Sequence, residues 1–151
     1  MFRPGEKLLG KYEIEDRIGR GTFGDVYKAR ELLCDRRVAI KALRRHIYEE
    51  GAMQYVISEL RTMSMLWGHP NIVSIHTVEQ ADLKFDDEAN DFLVTDATEF
   101  GYLAYIVMEF VDGASLDKLL KEGKLPIESA LNICLDICSG LVYAHENEVQ
   151  M

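Results

Sequence analysis

Apolar and polar positions alternate with a period of two through the early part of this chain and shift to a helical period later. Alternating or β-branched runs bounded by turn residues predict five strands: about Tyr12 to Ile18, Phe23 to Ala29, Val38 to Leu43, Ile72 to Val78 and Tyr102 to Phe110. Between the third and fourth, Ile47 to Leu66 sets Met53, Val56, Ile57, Leu60 and Met63 at helical spacing, and Gly68-His69-Pro70 ends the run. Beyond the fifth strand, Ser115 is a good N-cap for a short helix through Lys121, and Gly123 marks its end. Pro126 suits the first turn of a longer helix with one apolar stripe: Ile127, Ala130, Leu131, Cys134, Ile137, Cys138, Leu141 and Val142. The pattern predicts an α+β fold, a five-stranded antiparallel sheet with one helix followed by two helices. The last stripe needs a partner surface, expected beyond Met151.

One stretch departs from this order. Residues 79–101 hold eight acidic residues against Lys84 alone, with apolar clusters at Phe85, Phe92-Leu93-Val94 and Phe100. That composition predicts a long solvated insertion joining two strands. The expected organisation is an N-terminal extension over 1–11, a first lobe over 12–111 carrying the insertion at about 79–101, and the start of a second lobe over 112–151.

The first two strands meet at Ile18-Gly19-Arg20-Gly21-Thr22-Phe23-Gly24-Asp25-Val26. Three glycines in six residues are weak evidence alone, since plain turns and the dinucleotide-binding fold share them. In the dinucleotide fold the glycines must open a helix, whereas Asp25-Val26-Tyr27-Lys28-Ala29 continues as a strand. A Walker A loop is excluded, because neither Gly-Lys-Ser nor Gly-Lys-Thr occurs in the chain. A glycine hairpin remains, whose backbone N–H groups near Thr22 and Phe23 can face phosphate oxygens, with Ile18 and Val26 flanking an adenine ring.

Lys41 stands fifteen positions after Val26, inside the apolar run Val38 to Leu43. An inward ammonium on such a strand costs several kcal/mol unless paired, and a phosphate and a carboxylate would both pair it. Glu59 is the better carboxylate, lying between Val56, Leu60 and Met63 near the helical stripe. Glu49 and Glu50 sit in the first turn, where the helix dipole accounts for them.

Composition bounds the remaining options. The 151 residues are 48% apolar and 28% charged with a net charge of -9, so nucleic acid is not expected as a partner. Cys34, Cys134 and Cys138 form neither a disulfide framework nor a zinc ribbon, and no metal site is expected within the chain. No apolar run approaches the ~20 residues needed to span a bilayer, and no secretory leader is visible. A cytoplasmic location is the expectation.

Taken together, the glycine hairpin, Val38-Ala39-Ile40-Lys41, Glu59, His69-Pro70-Asn71-Ile72-Val73 and Ile106-Val107-Met108-Glu109-Phe110-Val111-Asp112-Gly113 resemble, in order and spacing, the N-terminal half of a eukaryotic-type protein kinase. The similarity is greatest to serine/threonine kinases of the kind also common in bacteria. The resemblance implies a kinase N-lobe with its helix C, the first two helices of an incomplete C-lobe, and phosphoryl transfer from Mg-ATP to a protein hydroxyl. It implies that Lys41 holds the α- and β-phosphates and Glu59 holds Lys41. Met108 becomes the gatekeeper, and the backbone of Glu109 and Val111 meets the adenine edge. The implied nucleotide-contacting positions are Ile18, Gly19, Arg20, Gly21, Thr22, Phe23, Gly24, Asp25, Val26, Ala39, Lys41, Met108, Glu109 and Val111.

The family's His-Arg-Asp loop and Asp-Phe-Gly motif do not occur in residues 1–151, and Asp91-Phe92 is followed by Leu93 ahead of the hinge. Neither a catalytic base nor a magnesium ligand is therefore expected in this chain. Magnesium would belong to the complete domain, and residues 1–151 alone should not transfer phosphate. Two rivals stand beside this reading: a pseudokinase-like nucleotide-binding or regulatory module, and an adaptor that uses the fold without nucleotide. Gly19, Gly21, Gly24 and Lys41 weigh against the adaptor. The protein substrate is not specified by the sequence.

Overall fold

The computed structural model describes residues 1–44, 53–80, 83–86, 91–94 and 102–148; the side chains of 53–57, 59, 80, 83–86, 91–94, 102, 103 and 148 lie outside the description. Among the described residues there are eight strands: β1 (Lys7–Leu8), β2 (Tyr12–Arg20), β3 (Gly24–Glu31), β4 (Arg36–Arg44), β5 (Ile75–Gln80), β6 (Leu83–Asp86), β7 (Asp91–Val94) and β8 (Tyr102–Glu109). The helices among the described residues are α1 (Met53–Met65), α2 (Leu116–Glu122) and α3 (Ile127–Glu148). The chain divides into two compact units, one of Met1–Glu59 with Ile75–Phe110, the other of Leu60–Ser74 with Val111–Met151.

In the first unit six strands form an antiparallel sheet in the order β1-β2-β3-β4-β8-β5. Its register separates two faces. Tyr27 pairs with Ile40, Ile40 with Val107 and Ala42 with Tyr105, so these side chains share a face, and Val26, Lys41 and Ile106 between them take the other. The buried cluster lies on the first face, where Ile14, Tyr27, Ala29, Val38, Ile40, Ala42, Tyr105 and Val107 pack together.

Residues 1–11 cover that face and extend the sheet. The Phe2 ring is buried, edge-on to Tyr27 at 5.4 Å between centroids and tilted against Tyr105 at 6.0 Å. Burying it contributes about 1.5–3 kcal/mol. The Gly5 N–H donates to the Ile14 carbonyl at 2.8 Å, and the Ile14 N–H donates to the Glu6 carbonyl at 2.9 Å. A sixth, two-residue strand therefore joins the five expected. It is too short to carry an alternation signal, and a neighbouring strand is what defines it.

The sheet is strongly curled. Three strands separate β2 from β5 in the sheet order, yet Lys11 Nζ lies 2.9 Å from Glu79 Oε1 and the Tyr12 hydroxyl donates to the same oxygen at 3.3 Å. Glu79 thus clasps the start of β2 to the far edge strand. In the insertion, β6 and β7 pair as a separate hairpin with Phe85 opposite Phe92, where the sequence predicts a plain loop. The rest of 81–101 is outside the described residues.

In the second unit the segment after α1 is tied to α3. The Asn71 amide donates to the Asp136 carbonyl at 3.0 Å, the His69 ring stacks on Tyr143 at 4.8 Å, and His69 Nε2 lies 3.2 Å from Ser139 Oγ. A Cβ on Gly140 would come within 3.3 Å of the Asn71 carbonyl oxygen, so a glycine lets this segment close on the helix. These contacts explain why β5 begins at Ile75 rather than at Ile72 as the sequence predicts. The α2 helix starts at the Ser115 cap, whose hydroxyl accepts from the Lys118 N–H, and ends at Gly123. The α3 stripe is exposed at Ile127, Leu131, Ile137, Leu141 and Val142. Contrary to the sequence expectation, Ile127–Asn147 is long and apolar enough to cross a bilayer by length and composition, at a mean hydropathy of 1.3. Core helices of soluble domains also meet that criterion.

Burial, reinforced by the Glu79 carboxylate, pushes the Tyr12 phenol up to about 12 from 10.0. The folded chain then keeps a proton that an unfolded chain loses near pH 10, so this contribution to stability is complete below pH 10 and is lost as pH rises toward 12. Denaturant unfolding of the wild type and Tyr12→Phe at several pH values checks this: the wild type is expected to be the more stable at pH 8, with its advantage shrinking or reversing between pH 10 and 12.

Candidate nucleotide-binding face

The hairpin of β2 and β3 stays paired to its end, with Gly19 opposite Val26 and Arg20 opposite Asp25, and the Gly21 N–H closes the tip on the Gly24 carbonyl at 2.8 Å. Two register shifts interrupt β2, between Ile14 and Asp16 and between Arg17 and Gly19; Ile18 lies in the second and is half exposed. The three glycines have different reasons. A Cβ on Gly24 would run into the Ala42 carbonyl oxygen and sit 2.9 Å from its carbon, so packing on β4 demands glycine there. At Gly19 and Gly21 a Cβ would make only ordinary contacts, no nearer than 3.5 Å and 3.8 Å. Internal packing does not require those two, which fits a role toward something outside the hairpin.

Below the hairpin, β3, β4 and β8 set Val26, Lys41 and Ile106 in one cross-strand row on the face opposite the core, with Lys28, Ala39 and Met108 in the row beside it. This is an apolar wall carrying amines at fixed points. Lys41 is half-buried, with Nζ 5.8 Å from the centre of the Phe23 ring at the hairpin tip. Lys28 is engaged elsewhere, 2.9 Å from Glu15 Oε2 and 5.4 Å from the centre of the Phe110 ring. The Lys28 hydrogen bond, aided by Arg30, holds the Glu15 carboxyl below its usual range.

Arg20 and Asp25, expected among the nucleotide contacts, share the face opposite Lys41 through their register with each other and with Ala42. The Asp25 carboxylate is 2% exposed and is gripped by the Arg44 guanidinium, Nη2 standing 2.8 Å from both carboxylate oxygens. Only their backbone is left for the nucleotide face. Ile106 was not foreseen, although its place two residues before Met108 on an alternating strand was a usable signal. Glu59 lies in α1 with its side chain outside the described residues, so its pairing with Lys41 is a proposal. Glu109 ends β8, and Val111, which opens the second unit, is exposed. Among the described residues, no group of three or more His, Cys, Asp or Glu side chains is placed to hold a metal ion.

Comparison with known proteins places this geometry. Residues 12–150 match the protein kinase domain family. The CBL-interacting serine/threonine-protein kinase 7 of Arabidopsis thaliana is 32% identical over 97% of this chain and 30% of its own length. The serine/threonine-protein kinase PrkC of Bacillus subtilis is 34% identical over 96% of this chain and 20% of its own length. The serine/threonine-protein kinase PknB of Mycobacterium leprae is 30% identical over 94% and 21%. The chain thus spans less than a third of the length of these relatives.

The two kinds of glycine separate in one experiment. Gly24→Ala is expected to lower stability by about 1–3 kcal/mol or more, since backbone must shift to admit the methyl, whereas Gly21→Ala should change stability by about 0.5 kcal/mol or less. Thermal unfolding of the two variants checks the difference.

Proposed function

Because the chain belongs to the protein kinase domain family, we propose that it is the ATP-binding part of a serine/threonine protein kinase, one that binds and positions the nucleotide for transfer of its γ-phosphate to a protein hydroxyl. The observation that carries this reading is the row Val26, Lys41 and Ile106 beside Ala39 and Met108: an apolar surface for a purine, with an ammonium where phosphates would begin. ATP supplies the phosphoryl group and the good leaving group. Lys41 supplies fixed positive charge against phosphate oxygens, and Glu59 orients its amine. The backbone N–H groups of Thr22 and Phe23 supply donors without side-chain bulk. The backbone of Glu109 and Val111 meets the purine edge.

Residues 1–151 contain neither a His-Arg-Asp nor an Asp-Phe-Gly sequence, so this part of the kinase orients the nucleotide but holds no base for the acceptor hydroxyl. The described residues offer no donor set that fits magnesium, and no step is assigned to it.

Lys41→Met removes a charge-assisted contact of about 1.5–3 kcal/mol, so ATP affinity should fall about tenfold or more, with adenosine affinity unchanged. Calorimetric titration of both ligands into wild type and variant checks this; equal ATP affinity for the two would overturn the assignment. Incubation of residues 1–151 with Mg-ATP and a generic protein acceptor is expected to give no phosphoprotein, and transfer would show that a base lies within the chain.

A further inference from the structure

The second arm of the glycine hairpin is laddered to the lysine strand from Gly24 opposite Leu43 to Glu31 opposite Arg36, and at the tip end of that ladder an ionic contact is added. Gly24 lies against the Ala42 carbonyl with no room for a side chain, and Asp25 follows it with its carboxylate 2% exposed. Such a group is tolerated only when paired. Three guanidiniums surround it. Arg44, three residues beyond Lys41 on β4, offers Nη2 at 2.8 Å to both oxygens and Nε at 3.3 Å to Oδ2. Arg17 and Arg20, on the first arm of the hairpin, each stand 4.0 Å away. Arg44 also holds the tip directly, its backbone N–H donating to the Phe23 carbonyl at 3.2 Å.

One carboxylate therefore joins the first arm of the hairpin, the second arm and the lysine strand. Its position on the face opposite Lys41 draws the Arg20 side chain, which sits between Gly19 and Gly21, to that same far side. The backbone of the tip is left to face the other way. We propose that Asp25 and Arg44 are positioning residues for the nucleotide phosphates, an ion pair that fixes the height of the Gly21–Phe23 tip relative to Lys41. This rests on the ATP-binding reading above. The pair touches no nucleotide; it restricts the tip to one placement, so its loss weakens contacts to phosphate and spares those to the purine.

The test uses the 151-residue chain with ATP and adenosine as probes. Arg44→Met keeps the apolar stem and removes the fork, leaving Arg17 and Arg20 to neutralise Asp25, and Arg44→Lys keeps the charge without the fork. The expected result is a loss of about tenfold in ATP affinity for Arg44→Met, adenosine affinity within about twofold of wild type, and partial recovery in Arg44→Lys. ATP and adenosine affinities that fall together, or neither falling, would overturn the proposal by reducing the pair to a general stabiliser. If Arg44→Met does not fold, Arg44→Lys decides alone: a selective loss for ATP supports the proposal and unchanged affinity overturns it. Amide hydrogen exchange at Thr22 and Phe23 in the ligand-free chain gives a readout independent of nucleotide. Faster exchange in Arg44→Met supports the ionic tie and unchanged exchange overturns it, whereas a wild-type chain with no ATP affinity counts against the proposed function itself.

Discussion

The alternation of side chains on β4 governs both the stability of the first unit and its chemistry. Val38, Ile40 and Ala42 fill the buried face, and a strand with period two must then deliver Ala39 and Lys41 to the other. Shifting the register by one residue would place an ammonium among Tyr27, Tyr105 and Val107, at a cost of several kcal/mol. The core thus enforces the side on which Lys41 lies. The pairings of β4 with β3 and β8 complete the row of Val26, Lys41 and Ile106 without further specification.

What surrounds β4 serves to hold that register. The N-terminal residues close the apolar face, with the Phe2 ring set between Tyr27 and Tyr105, so an exposed sheet of aromatic side chains becomes a core. Glu79 holds the sheet in its curl from the far edge, and Asp25 ties the hairpin down from the same face as the core. A curled sheet with one face covered leaves the other accessible, so that backbone amides and a strand lysine can address one ligand.

Buried and exposed charges differ in consequence here. Lys28 with Glu15 and Arg30 with Asp35 are surface pairs screened by solvent, and they set the outer charge pattern more than the fold. Asp25 is buried, with its carboxylate 2% exposed, and its partners are therefore obligatory. Having two kinds of glycine in one loop follows the same logic: Gly24 is needed by the protein's own backbone, while Gly19 and Gly21 leave space.

From the sequence alone came most of the elements and the residues of the candidate site. Strand alternation, the Ser115 and Gly123 caps and the glycine spacing depend on chemistry local to a few residues, and these survive translation into structure. The hairpin, Lys41, Ala39 and Met108 fall on the strands expected, one long helix precedes β5, and two helices follow β8. Contacts distant in sequence decided the rest. β1 exists because β2 offers it an edge, the start of β5 was moved by Asn71 bonding to α3, and the acidic insertion gained a hairpin where composition predicted only solvation. The assignment of Asp25 changed most. In the sequence it is one polar residue in a loop; in the structure Arg17, Arg20 and Arg44 converge on it, and only three strands folded side by side bring those charges within reach of one carboxylate.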